Sequence, residues 1–132
     1  MAPYDRETLL QKARDIAKNA WVPYSRFRVG AIVVADGRLF HGVNVENSSY
    51  GLSLCAERSA LAAALAAGAQ DITDLAVSCI DADESAGAGP RVPCGACRQW
   101  LADVAPNVVI LVDGLDRVFR LSDMLPIPFS LG

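Results

Sequence analysis

A chain of 132 residues with 52% hydrophobic and 20% charged residues has the size and composition of one folded domain, which excludes a disordered or fibrous protein. The net charge of -3 and a pI near 5.0 oppose binding to nucleic acid through its phosphates. Mean hydropathy is high at +0.27, yet the longest apolar run, Ala60 to Ala67, falls far short of the roughly 18 residues a membrane span requires.

The surplus apolar surface is expected to meet other subunits. The opening Met1-Ala2-Pro3-Tyr4-Asp5 has no basic stretch followed by an apolar one. That predicts no secretory leader and a cytoplasmic protein. Apolar residues at Leu9, Leu10, Ala13, Ile16, Ala17 and Ala20 follow helical spacing between Asp5 and Trp21, with Asp5 as N-cap and Pro23 as stop. Phe27 to Ala35 reads as a strand, Asp36-Gly37 as a tight turn, and Arg38 to Val45 as the hairpin partner. Asn44 to Ser53 is polar and turn-rich.

A second helix is expected from Cys55 to Ala67, stopped by Gly68. After Glu57, Arg58 and Ser59 it is apolar all round, the pattern of a helix buried on every side. One face would take the sheet and the other a neighbouring chain. Leu75 to Ile80 reads as a buried strand. The loop Asp81 to Val92 leads through Pro93 into a third helix that ends before Pro106. Val108 to Val112 is a strand, and Gly114 to Asp116 turn the chain into a last one, Arg117 to Leu121. Trp21 and Trp100 read as packing residues.

The order α-β-β-α-β-α-β-β predicts an α/β domain over residues 1–132, with parallel neighbours in the middle of one sheet covered on both faces. The final pair should be antiparallel, because its connection is too short for a parallel crossover.

Without a leader, Cys55, Cys79, Cys94 and Cys97 are not expected to form a disulfide framework. A redox pair, a metal site and inert core thiols remain open. Cys55 and the Cys94/Cys97 pair each open a helix, and in an α/β sheet such helix starts gather where ligands bind. Helix N-termini favour thiolates. Cys94 and Cys97, three apart, share a helical face. Three converging thiolates would suit a tetrahedral zinc with one open position, the mark of a catalytic site.

Glu57, two residues beyond the first candidate ligand, is placed to handle protons. Arg58 could donate hydrogen bonds to thiolate sulfur and offset the net negative charge of three thiolates on Zn²⁺. Cys79 lies in an apolar strand and reads as core. His41, the only histidine, is the one candidate for a fourth ligand of a structural zinc. Asn44 and Glu46, at a strand's end, read as lining a site.

Cys55-Ala56-Glu57-Arg58 with Pro93-Cys94-Gly95-Ala96-Cys97-Arg98-Gln99 closely resembles the zinc-dependent cytidine deaminases of the short, homotetrameric type. The wider signature is H-x-E followed by P-C-x-x-C, and here Cys55 stands in place of the histidine. Pro23-Tyr24-Ser25-Arg26-Phe27-Arg28-Val29-Gly30-Ala31 and Asn44-Val45-Glu46-Asn47 are similar to the same family, so the resemblance covers nearly the whole chain.

It implies a three-layer α-β-α fold on a five-stranded mixed sheet with an antiparallel last strand. It also implies one zinc per chain on Cys55, Cys94 and Cys97, with Glu57 as proton shuttle and Arg58 behind the metal. For substrate it implies Asn44 and Glu46 on the ribose 3'-hydroxyl, Phe27 on the pyrimidine, and the Ala56 backbone on the base carbonyl. Ser48, Tyr50 and Phe129 would reach into a neighbour's site. The loop Asp81 to Arg91 and the Pro126-Ile127-Pro128 segment before Phe129 vary in this family.

The implied reaction is hydrolytic deamination of free cytidine and 2'-deoxycytidine to the uridines and ammonia, in pyrimidine salvage. Glu46 would repel a phosphate on the sugar. A blasticidin-S deaminase shares the metal chemistry but departs from the Phe-x-Val-Gly-Ala and Asn-x-Glu-Asn stretches. A non-catalytic zinc module using His41 leaves Glu57, Asn44 and Glu46 without a task.

Overall fold

In the computed structural model, which describes residues 4–132, the Asp5 carboxylate accepts from the Thr8 amide at 2.7 Å and starts helix α1, Arg6–Ala17. Met1, Ala2 and Pro3, part of the stretch read for a leader, lie outside the described residues. Helix α1 stops well before Pro23. The segment after it pairs with a distant one instead: Trp21 N–H donates to Asn44 O and Glu46 N–H to Trp21 O. These long-range backbone bonds override the local helical spacing. Trp21 is therefore anchored by its backbone while its side chain stays 62% exposed, and Trp100 is exposed too, contrary to the packing role expected of both.

Strands β1 (Val29–Ala35) and β2 (Arg38–Val43) form the expected hairpin. Its turn residues Asp36 and Gly37 have φ of 53° and 73°, the left-handed pair of a type I′ turn. Both strands are shorter than their apolar patterns at the open end. There the Asn44 side chain takes over from the ladder, donating to Phe27 O at 2.8 Å and accepting from Val29 N–H at 2.9 Å.

Helix α2 (Ala56–Ala66), strand β3 (Ile72–Cys79), helix α3 (Gly95–Val104), and strands β4 (Val109–Val112) and β5 (Val118–Arg120) follow. A one-turn helix α4, Leu121–Met124, was not expected; the Asp123 carboxylate caps it by accepting from Arg120 N–H. The sheet order is β2-β1-β3-β4-β5. Only β3 and β4 are parallel neighbours; β1 inserts antiparallel between β2 and β3, and the last pair is antiparallel as expected. The crossover from β2 through α2 therefore skips a strand. Even so, β2, β3 and β4 all run the same way and end at the same edge.

Helix α1 covers one face through Leu9, Leu10 and Ala13 against Ile32, Val34 and Leu111. Helices α2 and α3 cover the other, with Ala60, Leu61 and Leu101 against Ala31, Val33 and Ile110. This is the three-layer mixed-sheet fold. Helix α2 is not enclosed by its own chain, however. Ala56, Ala60, Leu61 and Ala64 are buried, but Ala62, Ala63 and Ala66 are exposed, and Leu65 is 43% exposed. No helix of the described residues is long and apolar enough to cross a membrane.

Helix α1 is clamped to the sheet by Arg14. Its Nε and Nη2 donate to the two Asp113 carboxylate oxygens at 2.8 and 2.7 Å, and Ser78 Oγ adds a 2.7 Å bond to Asp113. Hydrogen bonds from Arg14 and then Ser78 hold the Asp113 carboxyl below the usual range. A depressed carboxylate stabilises the fold above its unfolded pKa of about 3.9 and loses that contribution as pH falls through its folded value. Both partners are partly exposed, which limits the effect to about 1–2 kcal/mol. Arg14→Met should lower the unfolding free energy by that amount in urea titrations at pH 7. The deficit should shrink at pH 3, and an equal deficit at both pH values would contradict this account.

Candidate active site

Two helix starts build the site. Cys55 is the N-cap of α2, Cys94 is the N-cap of α3, and Cys97 lies in the first turn of α3. The Sγ atoms of Cys55 and Cys94 are 3.7 Å apart, those of Cys94 and Cys97 are 3.5 Å apart, and all three lie within 4.8 Å of one another. Tetrahedral zinc with Zn–S bonds of about 2.3 Å requires sulfurs about 3.8 Å apart. The three thiols fit that ion.

Arg58 Nη2 donates to Cys55 Sγ at 3.3 Å. Hydrogen bonds from Cys97, and then from Arg58, push the Cys55 thiol down to about 5, while Cys97, as the donor to Cys55, is pushed up. One shared cluster therefore sheds its first proton easily. Glu57 follows in the first turn of α2, only 5% exposed, and burial raises its carboxyl to about 7. Such a group can both take and return a proton near neutral pH.

Helix α3 has a tether in which α2 takes no part. Arg98 Nε donates to Pro93 O at 2.7 Å, and its Nη1 donates to Met124 O at 2.8 Å, which ties the helix start to α4. The sequence offered no sign of this tether beyond an arginine two turns short of a proline. Cys79 is buried at the end of β3 with Sγ 3.5 Å from Pro90 O, and burial pushes its thiol up to about 12. It stands outside the cluster, as a core residue. His41 lies in a separate depression with Lys12, Asp15 and Ile16, so the described residues place no fourth protein ligand there.

A cavity of about 420 Å³ opens beside Cys55, lined by Tyr24, Ser25, Asn44, Glu46 and Tyr50 among others. That volume is in the range for a small organic ligand. Glu46 Oε1 accepts from the Tyr24 and Ser25 amides, each at 3.0 Å, and these bonds hold its carboxyl below the usual range. Oε2 takes no hydrogen bond among the described residues. Tyr24 and Tyr50 stack edge to face with centroids 6.2 Å apart.

Cys55, Ala56, Glu57, Arg58, Cys94, Cys97, Asn44, Glu46 and Tyr50 are thus brought to one region. Phe27 is half-buried behind Asn44 and does not line the cavity. Ser48 is exposed outside it, and Phe129 is 69% exposed on the tail, its carbonyl accepting from Gln99 Nε2 at 3.0 Å. Tyr24 and Ser25 belong to the Pro23–Ala31 motif, but sequence alone gives no sign that their amides hold Glu46. An acidic Glu46 in a turn-rich segment needs amide donors, and the turn after Pro23 supplies them.

A family model describing the cytidine and deoxycytidylate deaminase zinc-binding region matches residues 3–112. The chain is 46% identical over 131 residues to the cytidine deaminase of Halalkalibacterium halodurans, covering 96% of this chain and 95% of that protein. It is 42% identical over 132 residues to the cytidine deaminase of Mycobacterium tuberculosis, covering 99% and 94%. The crystal structure of the Burkholderia pseudomallei cytidine deaminase superimposes with a TM-score of 0.83 at 40% identity, over 96% of this chain and 100% of that one. With its three thiols at the spacing zinc requires, the chain belongs to the zinc-binding cytidine and deoxycytidylate deaminase family.

Proposed function

We propose that this chain, as a single domain over residues 1–132, catalyses hydrolytic deamination of free cytidine and 2'-deoxycytidine in cytoplasmic pyrimidine salvage. The observation that carries the reading is the meeting of three thiols, a buried carboxyl and a nucleoside-sized cavity at two helix starts. The names of the relatives agree with it. Zinc held by Cys55, Cys94 and Cys97, one per chain, supplies an activated water when bound.

Everything else falls to side chains and amides. Glu57 takes one proton of the attacking water at its carboxylate and delivers it to N3 of the ring, then takes the second from the same oxygen and delivers it to the amine leaving C4. Arg58 keeps Cys55 ionised and in place. Glu46, braced on one oxygen by two amides, offers the other to the ribose 3'-hydroxyl together with Asn44. Its charge disfavours a phosphorylated sugar. The Ala56 amide, at the start of α2, faces the base carbonyl, and Phe27 packs on the pyrimidine.

The assembly proposed is a homotetramer with shared sites. The outer face of α2 is apolar, Tyr50 is 74% exposed at the cavity, and Phe129 is exposed on a tail bonded to Gln99 of α3. Ser48, Tyr50 and Phe129 would serve the neighbour's cavity.

Purified protein should release ammonia from cytidine and carry about one zinc per chain, with Cys94→Ala losing both. Glu57→Gln should keep its zinc while kcat falls roughly 10²- to 10⁴-fold. Absence of ammonia release by zinc-loaded wild type would overturn the reading. Shared sites are tested by co-refolding Glu57→Gln with Tyr50→Ala: hybrid tetramers should recover part of the activity. Mixed oligomers that recover none, although Tyr50→Ala alone is impaired, would assign Tyr50 to its own chain.

A further inference from the structure

Gly42 sits in β2 opposite Ala31, on the sheet face that α2 covers. A β-carbon placed on Gly42 would stand 2.4 Å from Ala56 O, 2.4 Å from Ala60 N and 2.9 Å from Ala60 Cα. Those atoms are the two ends of the first hydrogen bond inside α2. They are backbone, so no rotamer change relieves the contact. The backbones of α2 and β2 must move apart. Ordinary contact begins at 3.4 Å, which sets the added separation of helix and strand at about 1 Å.

We propose that Gly42 is a positioning residue for the zinc site, its bare Cα setting the depth at which the first turn of α2 seats on the sheet. That turn carries Cys55, Ala56 and Glu57. The other two ligands ride on α3, which Arg98 fastens separately to Pro93 O and Met124 O. A shift of α2 alone therefore lengthens the 3.7 Å separation of Cys55 and Cys94, and leaves the 3.5 Å separation of Cys94 and Cys97 intact. The ion would keep two thiolates and lose its hold on the third. Glu57 would move with Cys55, away from the position from which it serves the reaction. A displacement of this size is enough to cost about 10²-fold in rate when it misplaces a reacting group.

The fold contains its own control. Gly30 makes an even closer approach, with an added β-carbon 2.1 Å from Ala13 O and 2.7 Å from Ala17 N. Its contact is with α1, on the opposite face, and α1 carries none of the chemistry. A general packing defect would follow from either glycine; a metal defect should follow from Gly42 alone.

The inference rests on the zinc reading above, and the experiment separates the two. Zinc affinity is measured by chelator competition on folded wild type, Gly42→Ala and Gly30→Ala, with the cobalt-substituted absorption spectrum reporting how many thiolates bind. Ala60→Val applies the same pressure from the helix side. Gly42→Ala and Ala60→Val should bind zinc roughly 10- to 100-fold more weakly, as when support behind metal ligands is removed, with weakened thiolate-to-cobalt bands. Gly30→Ala should lose thermal stability while its zinc affinity and cobalt spectrum stay those of wild type. A folded Gly42→Ala with wild-type affinity and spectrum would overturn the positioning role, as would an equal loss of affinity in Gly30→Ala. Failure of Gly42→Ala and Ala60→Val to fold, with Gly30→Ala folding, would make the contact a need of the fold and overturn it as well. A wild type without zinc would remove the site reading itself.

Discussion

The common direction of β2, β3 and β4 decides where the helices that follow them can start, and every chemical feature depends on that placement. Because β1 runs opposite and lies between β2 and β3, the chain must cross from β2 to β3 through α2. The return delivers the start of α2 to the edge where α3 also begins. Two helix N-termini then face one point, each with unpaired amides and a cysteine at its cap. Ligands at the carboxyl edge of α/β sheets are common for this reason. Here the edge supplies the electrostatics for thiolates before any metal is considered.

Charge is balanced locally. Three thiolates holding a divalent ion would carry a net negative charge, which would weaken its acidifying effect on water. Arg58 offsets it from the same helix turn, and Glu57 sits buried within one residue of that guanidinium. Its burial keeps its proton exchangeable near neutrality, a property an exposed carboxylate lacks. Glu46 is treated in the opposite manner: two amides stabilise its ionised form and aim it into the cavity. Two glutamates of identical chemistry are thus given distinct work by one buried and one amide-lined setting.

Much of this could be read from residues alone because the signals are local. Asp5 before a periodic segment, Asp36-Gly37 between two apolar runs, and cysteines at helix caps each state their structure within a few positions. The failures are non-local. Helix α1 stops early because Trp21 pairs with Asn44 and Glu46, more than twenty positions away, and no window around Trp21 contains that partner. The parallel neighbours expected in the middle of the sheet are β3 and β4, but alternation of strands and helices does not reveal that β1 lies between β2 and β3. The Arg98 tether to Met124 and the Glu46 amide cradle escaped for the same reason, being made by tertiary neighbours.

Asn44 shows how fold and site share material. Its amide closes the open end of the hairpin by bonding Phe27 O and Val29 N–H, so both of its polar groups are engaged before a ligand arrives. Each still has capacity: the amide nitrogen carries a second hydrogen and the oxygen a second lone pair. A ribose hydroxyl meeting it would therefore meet a side chain already locked in one orientation, with little further entropy to lose on binding. The same amide fixes the Phe27 backbone through its carbonyl. The strand end, Asn44 and the Phe27 backbone are in this way tied together. Gly42 lies in β2 two residues before Asn44, which directly follows the strand, so the side chain that would hold the sugar and the surface on which α2 seats are set by one short segment at the end of β2.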